Sequence, residues 1–213
     1  MRDNKFRSVK PITDPAKPQL YIETYGCQMN VNDSEVVLSV MQDAGYSLCD
    51  KMEDADVILV NTCSIRENAE QRVLGRLDLF RLEKRRRPGI VVGVIGCMAE
   101  RLKDQLFEYP VVDLVAGPDA YRDLPRLVEA TKAGTGQINV FLSHEETYAD
   151  ITPVRMDRNG VSAFISIMRG CNNVCSYCIV PFVRGAERSR DPQSIVREAE
   201  SLIANGYKEI NLL

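Results

Sequence analysis

The sequence RGCNNVCSYC at residues 169–178 places Cys171, Cys175 and Cys178 within eight residues of one another. Three thiolates at this spacing can bind one iron–sulfur cube and leave one of its four irons without a protein ligand. Zinc sites usually combine two C-x2-C pairs or add histidines, and a disulfide would leave one thiol over. The only histidine, His144, is distant in sequence. The spacing therefore favours an iron–sulfur cluster, with zinc and unliganded thiols as the alternatives.

The cysteine run follows a predicted strand at residues 161–168, so it lies in the loop that leaves this strand. Its C-x3-C-x2-C spacing, with Tyr177 just before the last cysteine, resembles the radical S-adenosylmethionine (SAM) signature. The resemblance implies a [4Fe–4S] cluster on Cys171, Cys175 and Cys178. It also implies that SAM chelates the open iron, with Tyr177 close to the adenine.

Length and composition limit the classes of protein to which this chain can belong. The chain has 213 residues, 45% hydrophobic and 27% charged, which suits one large globular domain or somewhat more. No run of eighteen apolar residues and no signal-peptide pattern is present, so we expect no membrane association. Seven cysteines without a secretory signal favour a reducing cytoplasm and metal binding over disulfides. We expect a cytoplasmic monomer.

Residues 19–134 show an alternation of strand and helix patterns, which predicts an α/β domain with a parallel sheet. Asn32 or Asp33 is the expected cap of the first helix. The predicted strands are residues 20–25, 55–60, 90–95 and 111–116, and the predicted helices are residues 32–44, 67–87, 99–107 and 119–131.

Shorter segments flank this domain. Residues 1–18 are basic and proline-rich, and we expect a disordered tail. Residues 135–157 are predicted to be a linker that contains one short strand, at residues 138–142, and an exposed His144. Residues 158–213 predict a strand, a helix at residues 193–205 entered through an Asp191 cap, and a further strand from residue 208. These three elements are the beginning of a β/α barrel, and a barrel cannot close from them. We therefore expect a barrel truncated in mid-domain.

A second set of cysteines occurs in the first domain. Cys27, Cys63 and Cys97 each come directly after a predicted strand. The carboxyl ends of parallel strands share one edge of a sheet, where ligands bind, so we expect the three thiols to converge there and to hold a second cluster. The alternative is three buried core thiols, since free cysteine is often buried. Cys49 fits neither set and is interpreted as incidental.

Arginines concentrate near the first cysteine run, within a chain whose formal net charge is −3. Arginine suits phosphate contacts, which would make this region an RNA-binding surface. SAM binding and structural ion pairs are the alternatives, and the sequence leaves all three open. The arginines concerned are Arg155, Arg158, Arg169, Arg184, Arg188 and Arg190.

Several stretches taken together resemble the MiaB-type tRNA methylthiotransferases. They are YGCQMN at residues 25–30, NTCSIRE at residues 61–67, Gly96-Cys97, and GCNNVCSYC at residues 170–178, followed by Pro181 and Arg184-Gly185. The match runs from about residue 19 to the last residue. The segments after Cys27 and Cys63 resemble the MiaB branch more than the ribosomal-protein (RimO-type) or threonylcarbamoyl-adenosine branches.

The resemblance implies two [4Fe–4S] clusters, one on Cys27, Cys63 and Cys97 and one on Cys171, Cys175 and Cys178, with no catalytic side chain beyond these ligands. It implies that one electron from a reductant cleaves SAM, and that the resulting radical removes the C2 hydrogen of N6-isopentenyladenosine at position 37 of tRNA. The first-domain cluster would supply the sulfur and a second SAM the methyl group. An unactivated C–H bond requires radical chemistry that side chains do not provide.

The family continues with the rest of the barrel and a small β-rich RNA-binding domain, which this sequence lacks. We therefore expect an N-terminal part that is inactive by itself. A methylthiotransferase acting on threonylcarbamoyl-adenosine or a ribosomal protein is an alternative. A non-catalytic iron–sulfur module is another.

Overall fold

The computed structural model of the chain describes residues 13–64, 67–134, 136–156 and 160–213, except for the side chains of residues 67–70. Most of the predicted tail, residues 1–12, therefore lies outside the described residues, as does Arg158. No helix in the described part of the chain combines the length and the apolar composition needed to cross a membrane.

The first domain is built on a six-stranded sheet in which every pair of neighbouring strands is parallel. The predicted α/β class is confirmed. The strand order across the sheet is β2-β1-β3-β4-β5-β6. The strands are β1 (Gln19–Tyr25), β2 (Ser47–Leu48), β3 (Val57–Thr62), β4 (Val91–Gly96), β5 (Leu114–Ala116) and β6 (Gln137–Asn139). The helices are α1 (Gln28–Asp43), α2 (Glu67–Arg86), α3 (Cys97–Leu102) and α4 (Leu124–Lys132).

The two faces of the sheet bury separate apolar layers. Helices α1 and α4 cover one face through residues such as Val37, Met41 and Leu127. Helix α2 covers the other face, where Val73 and Phe80 pack against the central strands. Every residue of β3 and β4 is buried, as their near-continuous apolar sequences predict for strands covered on both faces. This rigid sheet fixes the positions of the loops at its carboxyl edge.

Helix α1 begins four residues earlier than the predicted helix. Cys27, not Asn32 or Asp33, is its N-cap, and the backbone N–H groups of Asn30 and Val31 donate to the Cys27 carbonyl. The predicted cap is wrong because Asp33 is fully buried and ion-paired, so its side chain does not turn back onto the helix end. The earlier start places the Cys27 thiol at a helix N-terminus.

The predicted linker at residues 135–157 contributes to the first domain. Its strand, β6, pairs with β5 in the register Val115 to Ile138 and forms the edge of the sheet. Tyr148 is buried, stacks on Tyr121 and donates a hydrogen bond to the Pro118 carbonyl. His144 is exposed, as predicted. The segment therefore packs onto the sheet along much of its length.

The last part of the chain forms the predicted strand, helix and strand. Strand β7 (Ser162–Ile165) pairs in parallel with β10 (Glu209–Leu212), and helix α6 (Pro192–Ala204) connects back between them. Asp191 caps α6 by accepting a hydrogen bond from the Ser194 N–H at 2.9 Å, as predicted. Between β7 and α6 lie β8 (Met168–Arg169), α5 (Val180–Arg184) and β9 (Arg188–Ser189), which carry the cysteine loop.

Candidate iron–sulfur sites

The structure brings Cys27, Cys63 and Cys97 to one edge of the sheet. Strands β1, β3 and β4 are direct neighbours, and the register aligns Tyr25 with Thr62 and Thr62 with Gly96. Cys63 and Cys97 come one residue after these aligned positions, and Cys27 comes two residues after. Adjacent strands are about 4.8 Å apart, so the three thiols come from neighbouring backbones. We call this group the strand-end site.

The thiols of the strand-end site form no disulfide, and Cys63 interacts with Cys27. The Cys63 side chain, through a hydrogen bond, lowers the pKa of Cys27 to about 5, and the backbone at Asn30 and Met29 and the charge of Arg184 contribute in the same direction. Burial raises the pKa of Cys97, while the Arg184 side chain opposes that effect. The thiolate is the form of cysteine that binds metal, and a position at a helix N-terminus, such as that of Cys27, favours it.

Two buried asparagines join the loops that carry Cys27 and Cys63. The Asn30 amide donates to Asn61 Oδ1 at 3.2 Å and to the Thr62 carbonyl at 3.1 Å, while its own Oδ1 accepts from the Cys27 N–H at 3.3 Å. The Asn61 amide donates in return to the Asn30 carbonyl at 2.8 Å and to Ser34 Oγ at 2.9 Å. This network fixes the positions of two of the three cysteine-bearing loops.

Glycines before Cys27 and Cys97 allow the network to form. A Cβ at Gly26 would lie 2.3 Å from Asn30 Oδ1, and a Cβ at Gly96 would lie 2.4 Å from Asn61 Oδ1. Gly96 also has a φ of 91°, a backbone conformation that residues with a Cβ rarely adopt. The sequence predicts sharp turns at these glycines. The structure adds that their close neighbours are the asparagine amides, and the asparagines themselves were not identified as site residues.

The other three cysteines lie on a loop that is closed at its base. Strands β8 and β9 pair antiparallel, and the Cys171 N–H donates to the Gly185 carbonyl at 3.1 Å. Gly170 has a φ of 74°, and a Cβ there would lie 2.0 Å from the Ala186 carbonyl oxygen. The backbone N–H of Asn173 donates to Cys171 Sγ at 3.4 Å, which orients the thiol. We call this segment, residues 171–178, the cysteine loop.

The far side of the cysteine loop faces outward. Cys175 is exposed, and the side chains of Val174 and Tyr177 are 95% and 91% exposed. Tyr177 therefore has room to stack on a planar ligand, and its contact with an adenine ring stays a prediction. The base of the loop is fixed in the structure, while the loop's outer surface is open to a ligand.

A buried carboxylate connects the two cysteine sites. Asp33, in the second turn of α1 after Cys27, accepts from Arg169 Nη1 at 2.7 Å and from Arg184 Nη2 at 2.8 Å. Arg169 comes just before the cysteine loop and Arg184 follows it. Burial alone would raise the pKa of Asp33, but the two guanidinium groups hold it below its usual value. Asp33 is therefore a charged link between the strand-end site and the base of the cysteine loop.

Further buried ion pairs extend this contact between the domains. Asp119 accepts from Arg188 Nη1 at 2.6 Å. Glu35 pairs with Arg155 at 2.6 Å, and Glu198 pairs with both Arg155 and Arg190, at 2.6 Å and 2.7 Å.

These contacts correct the interpretation of the arginine cluster as an RNA surface. The five described arginines are all buried and paired with carboxylates, so they do not present their charge to a nucleic-acid backbone. The structural ion pairs that the sequence left open are the correct alternative for them. The carboxylates lie far away in sequence, which is why composition alone could not decide between ion pairs, SAM binding and RNA binding.

Cys49 is remote from the strand-end site, since it lies beside Leu20, near the other end of β1.

The cysteine sets fit a cluster better than a single metal ion. Among the described side chains, no group of three His, Cys, Asp or Glu residues is arranged so that it could hold a single metal ion. A [4Fe–4S] cube binds each thiolate to a different iron and so holds its ligands farther apart. The strand-end site offers three thiols that form no disulfide and a buried guanidinium nitrogen, Arg184 Nη1, that lacks an acceptor among the described residues. A bound anionic group would give this nitrogen one.

Two family models match the chain. The model described as "Uncharacterized protein family UPF0004" matches residues 19–117, which contain the strand-end site, and the model of the radical SAM superfamily matches residues 165–213, which contain the cysteine loop. The match to the radical SAM superfamily implies SAM and iron–sulfur clusters.

Curated relatives match along nearly the whole chain. A tRNA-2-methylthio-N(6)-dimethylallyladenosine synthase from Amoebophilus asiaticus is 61% identical over 95% of this chain and 42% of the relative. A protein of the same name from Phocaeicola vulgatus is 54% identical over 100% of this chain and 47% of the relative. The chain thus spans less than half the length of these curated relatives.

A solved structure shares the fold. The radical S-adenosylmethionine methyltransferase TsrM from Kitasatospora setae superposes with a TM-score of 0.59 at 18% identity, over 90% of this chain and 47% of that one. At this identity the likeness concerns the fold alone. The radical SAM model and the two curated relatives point the same way, and along nearly its whole length this chain is similar to tRNA-2-methylthio-N(6)-dimethylallyladenosine synthases.

Proposed function

We propose that this chain is the cluster-bearing part of an enzyme that methylthiolates C2 of N6-isopentenyladenosine at position 37 of tRNA. The relatives named tRNA-2-methylthio-N(6)-dimethylallyladenosine synthase support tRNA as the substrate. One structural observation carries the proposal. Two separate sets of three cysteines, none of them in a disulfide, are connected through the buried Asp33, and a reaction in which a radical source and a sulfur source act on one substrate atom requires two such sets in one protein.

Two [4Fe–4S] clusters and SAM are the cofactors that we propose. Cys171, Cys175 and Cys178 would hold the SAM-binding cluster, and Cys27, Cys63 and Cys97 would hold the second one. Bound at these positions, the clusters and SAM supply a one-electron reductant, a radical that removes hydrogen from carbon, and a sulfur source.

The chain's own residues position and protect these groups. The Asn173 N–H donates a hydrogen bond to Cys171 Sγ, and β8 and β9 pair at the base of the cysteine loop that carries the three thiols. The buried asparagine network holds Cys27 and Cys63 at the sheet edge. The exposed ring of Tyr177 is available to stack on the adenine of SAM.

The remaining partners follow from this chemistry. A reductant must deliver the electrons. We propose that the protein is cytoplasmic, because cysteines that bind iron need a reducing compartment, and that it acts as a monomer. The buried arginines do not bind tRNA. We expect tRNA to contact the open outer surface of the cysteine loop and segments that the relatives carry beyond the matched length.

A chimera tests the proposal. This chain would replace the corresponding part of the Bacteroides fragilis relative, to which it is 56% identical. With reductant and SAM, we expect methylthiolation of tRNA that carries N6-isopentenyladenosine, read by mass spectrometry of its nucleosides. A Cys171→Ala chimera is the matched control and should release no 5′-deoxyadenosine. Equal product on tRNA lacking the isopentenyl group, on threonylcarbamoyl-adenosine or on a ribosomal protein would contradict the substrate assignment. Cluster binding without SAM cleavage would favour a non-catalytic module.

A further inference from the structure

Arg184 reaches from the second domain into the strand-end site. It is the last residue of α5, which follows the cysteine loop, and α5 packs against α3, whose first residue is Cys97. Arg184 is 5% exposed, and its guanidinium group donates through Nη2 to Asp33. Its positive charge lowers the pKa of both Cys97 and Cys27. Together with the packing of α5 against α3, this places the Arg184 side chain beside the strand-end site.

The other terminal nitrogen of Arg184, Nη1, is buried and has no acceptor within hydrogen-bonding distance among the described residues. The Arg184 side chain does interact with the Cys97 thiol, whose pKa it lowers. In the other buried arginines of the interface the unpartnered atom is Nε, and both terminal nitrogens of Arg155 and Arg188 have acceptors. A buried N–H without an acceptor is costly, typically by more than the bond itself contributes. The acceptor that Arg184 Nη1 lacks would have to come from a group bound beside it.

We propose that Arg184 is a positioning residue of the strand-end site, and that its Nη1 donates to a sulfur of the iron–sulfur cluster held by Cys27, Cys63 and Cys97. This inference rests on the proposed function in one respect, namely that the strand-end site binds a cluster. Asp33 holds the guanidinium group in place, and the cluster sulfur supplies the missing acceptor.

The position of Arg184 has a consequence for the reduction of that cluster. Reduction adds one negative charge, and a buried cation with an N–H···S hydrogen bond stabilises the reduced form. Loss of Arg184 should therefore make the reduction potential of the strand-end cluster more negative. Arg184 follows Cys178 by six residues. A change in the conformation of the cysteine loop would therefore move Arg184 and alter the reduction potential of the strand-end cluster.

The test uses the chain with Cys171, Cys175 and Cys178 all changed to alanine, so that only the strand-end site can bind a cluster. After anaerobic reconstitution, iron content and the reduction potential are measured by a redox titration followed by EPR. We expect Arg184→Gln to lower the equilibrium constant of one-electron reduction at least tenfold, which corresponds to about 59 mV. Arg184→Lys keeps the positive charge, so its reduction potential should lie between those of Arg184→Gln and the parent.

Arg188→Gln is the matched control, because Arg188 is equally buried and paired with Asp119 in the same interface. An unchanged potential in Arg184→Gln, or an equal shift in Arg188→Gln, would overturn the inference while leaving the cluster site intact. Absence of iron from the parent background would overturn the cluster site and the inference together.

A second measurement needs no destabilising variant. In the parent background with isotopically labelled guanidinium nitrogens, pulsed EPR should detect a nitrogen coupling to the reduced cluster that Arg184→Lys removes. Absence of such a coupling would overturn the inference even if Arg184→Gln fails to fold.

Discussion

At the scale of single residues, the strand-end site depends on groups that do not bind metal. Asn30 and Asn61 exchange hydrogen bonds through their amides and join two of the cysteine-bearing loops. Gly26 and Gly96 leave the space that these amides occupy. The cysteines of this site could be found from the sequence because each of them follows a predicted strand. The asparagines could not, because their partners are more than thirty residues away.

Gly96→Ala tests this residue-scale account. Its φ of 91° alone should cost about 1–2 kcal/mol, and the clash of Cβ with Asn61 and the Thr62 carbonyl should add about 1–3 kcal/mol. Gly45→Ala is the control, because Gly45 has a φ of 96° with nothing within 4 Å. Urea unfolding would measure both changes. Equal losses of stability in the two variants would mean that close packing at Gly96 contributes nothing.

At the scale of secondary-structure elements, most strands and helices could be predicted from apolar runs and caps, including α2, α6 and the Asp191 cap. The start of α1 could not be predicted, because Asp33 has the residue type of a cap but is held by arginines more than 130 residues away. The position of β6 at the sheet edge was also missed, since a short strand gives no signal of its pairing partner.

The base of the cysteine loop has its own test. Gly170→Ala would place a Cβ 2.0 Å from the Ala186 carbonyl oxygen and should separate β8 from β9 at the base of the cysteine loop. We expect the reconstituted chain to lose the cluster of this loop and keep the other, so that iron falls from about eight to about four per chain. Gly206→Ala, at an open position with a φ of 94°, should keep both clusters. Full iron content in Gly170→Ala would contradict the role of the loop base.

At the scale of the whole molecule, buried ion pairs join the two domains. Asp33, Glu35 and Asp119 come from the first domain, and each binds at least one arginine from residue 155 onward. Breaking a buried pair by removing one partner usually costs about 3–5 kcal/mol, against less than about 1 kcal/mol for an exposed pair. We therefore expect the two domains to unfold together.

Asp33→Asn tests that expectation, with Asp78→Asn in the exposed Asp78–Arg81 pair as its control. We expect Asp33→Asn to lower the free energy of unfolding by about 3–5 kcal/mol at pH 7, and Asp78→Asn by less than about 1 kcal/mol. Because folding lowers the pKa of Asp33, its contribution is present above the unfolded pKa of about 3.9 and is lost as the pH falls through the folded value. The difference between the wild type and Asp33→Asn should therefore be constant from pH 7 to about pH 4 and shrink below that. A difference that grows toward low pH would contradict the ion pair.

The most direct test of the central claim is the iron and sulfide content of the anaerobically reconstituted chain. Two separate cysteine sites predict about eight irons per chain. They also predict about four after changing Cys27, Cys63 and Cys97 to alanine, and about four after changing Cys171, Cys175 and Cys178. An EPR signal that SAM perturbs should persist in the first of these variants and disappear in the second. About four irons in the unsubstituted chain, or zinc in place of iron, would contradict the presence of two clusters.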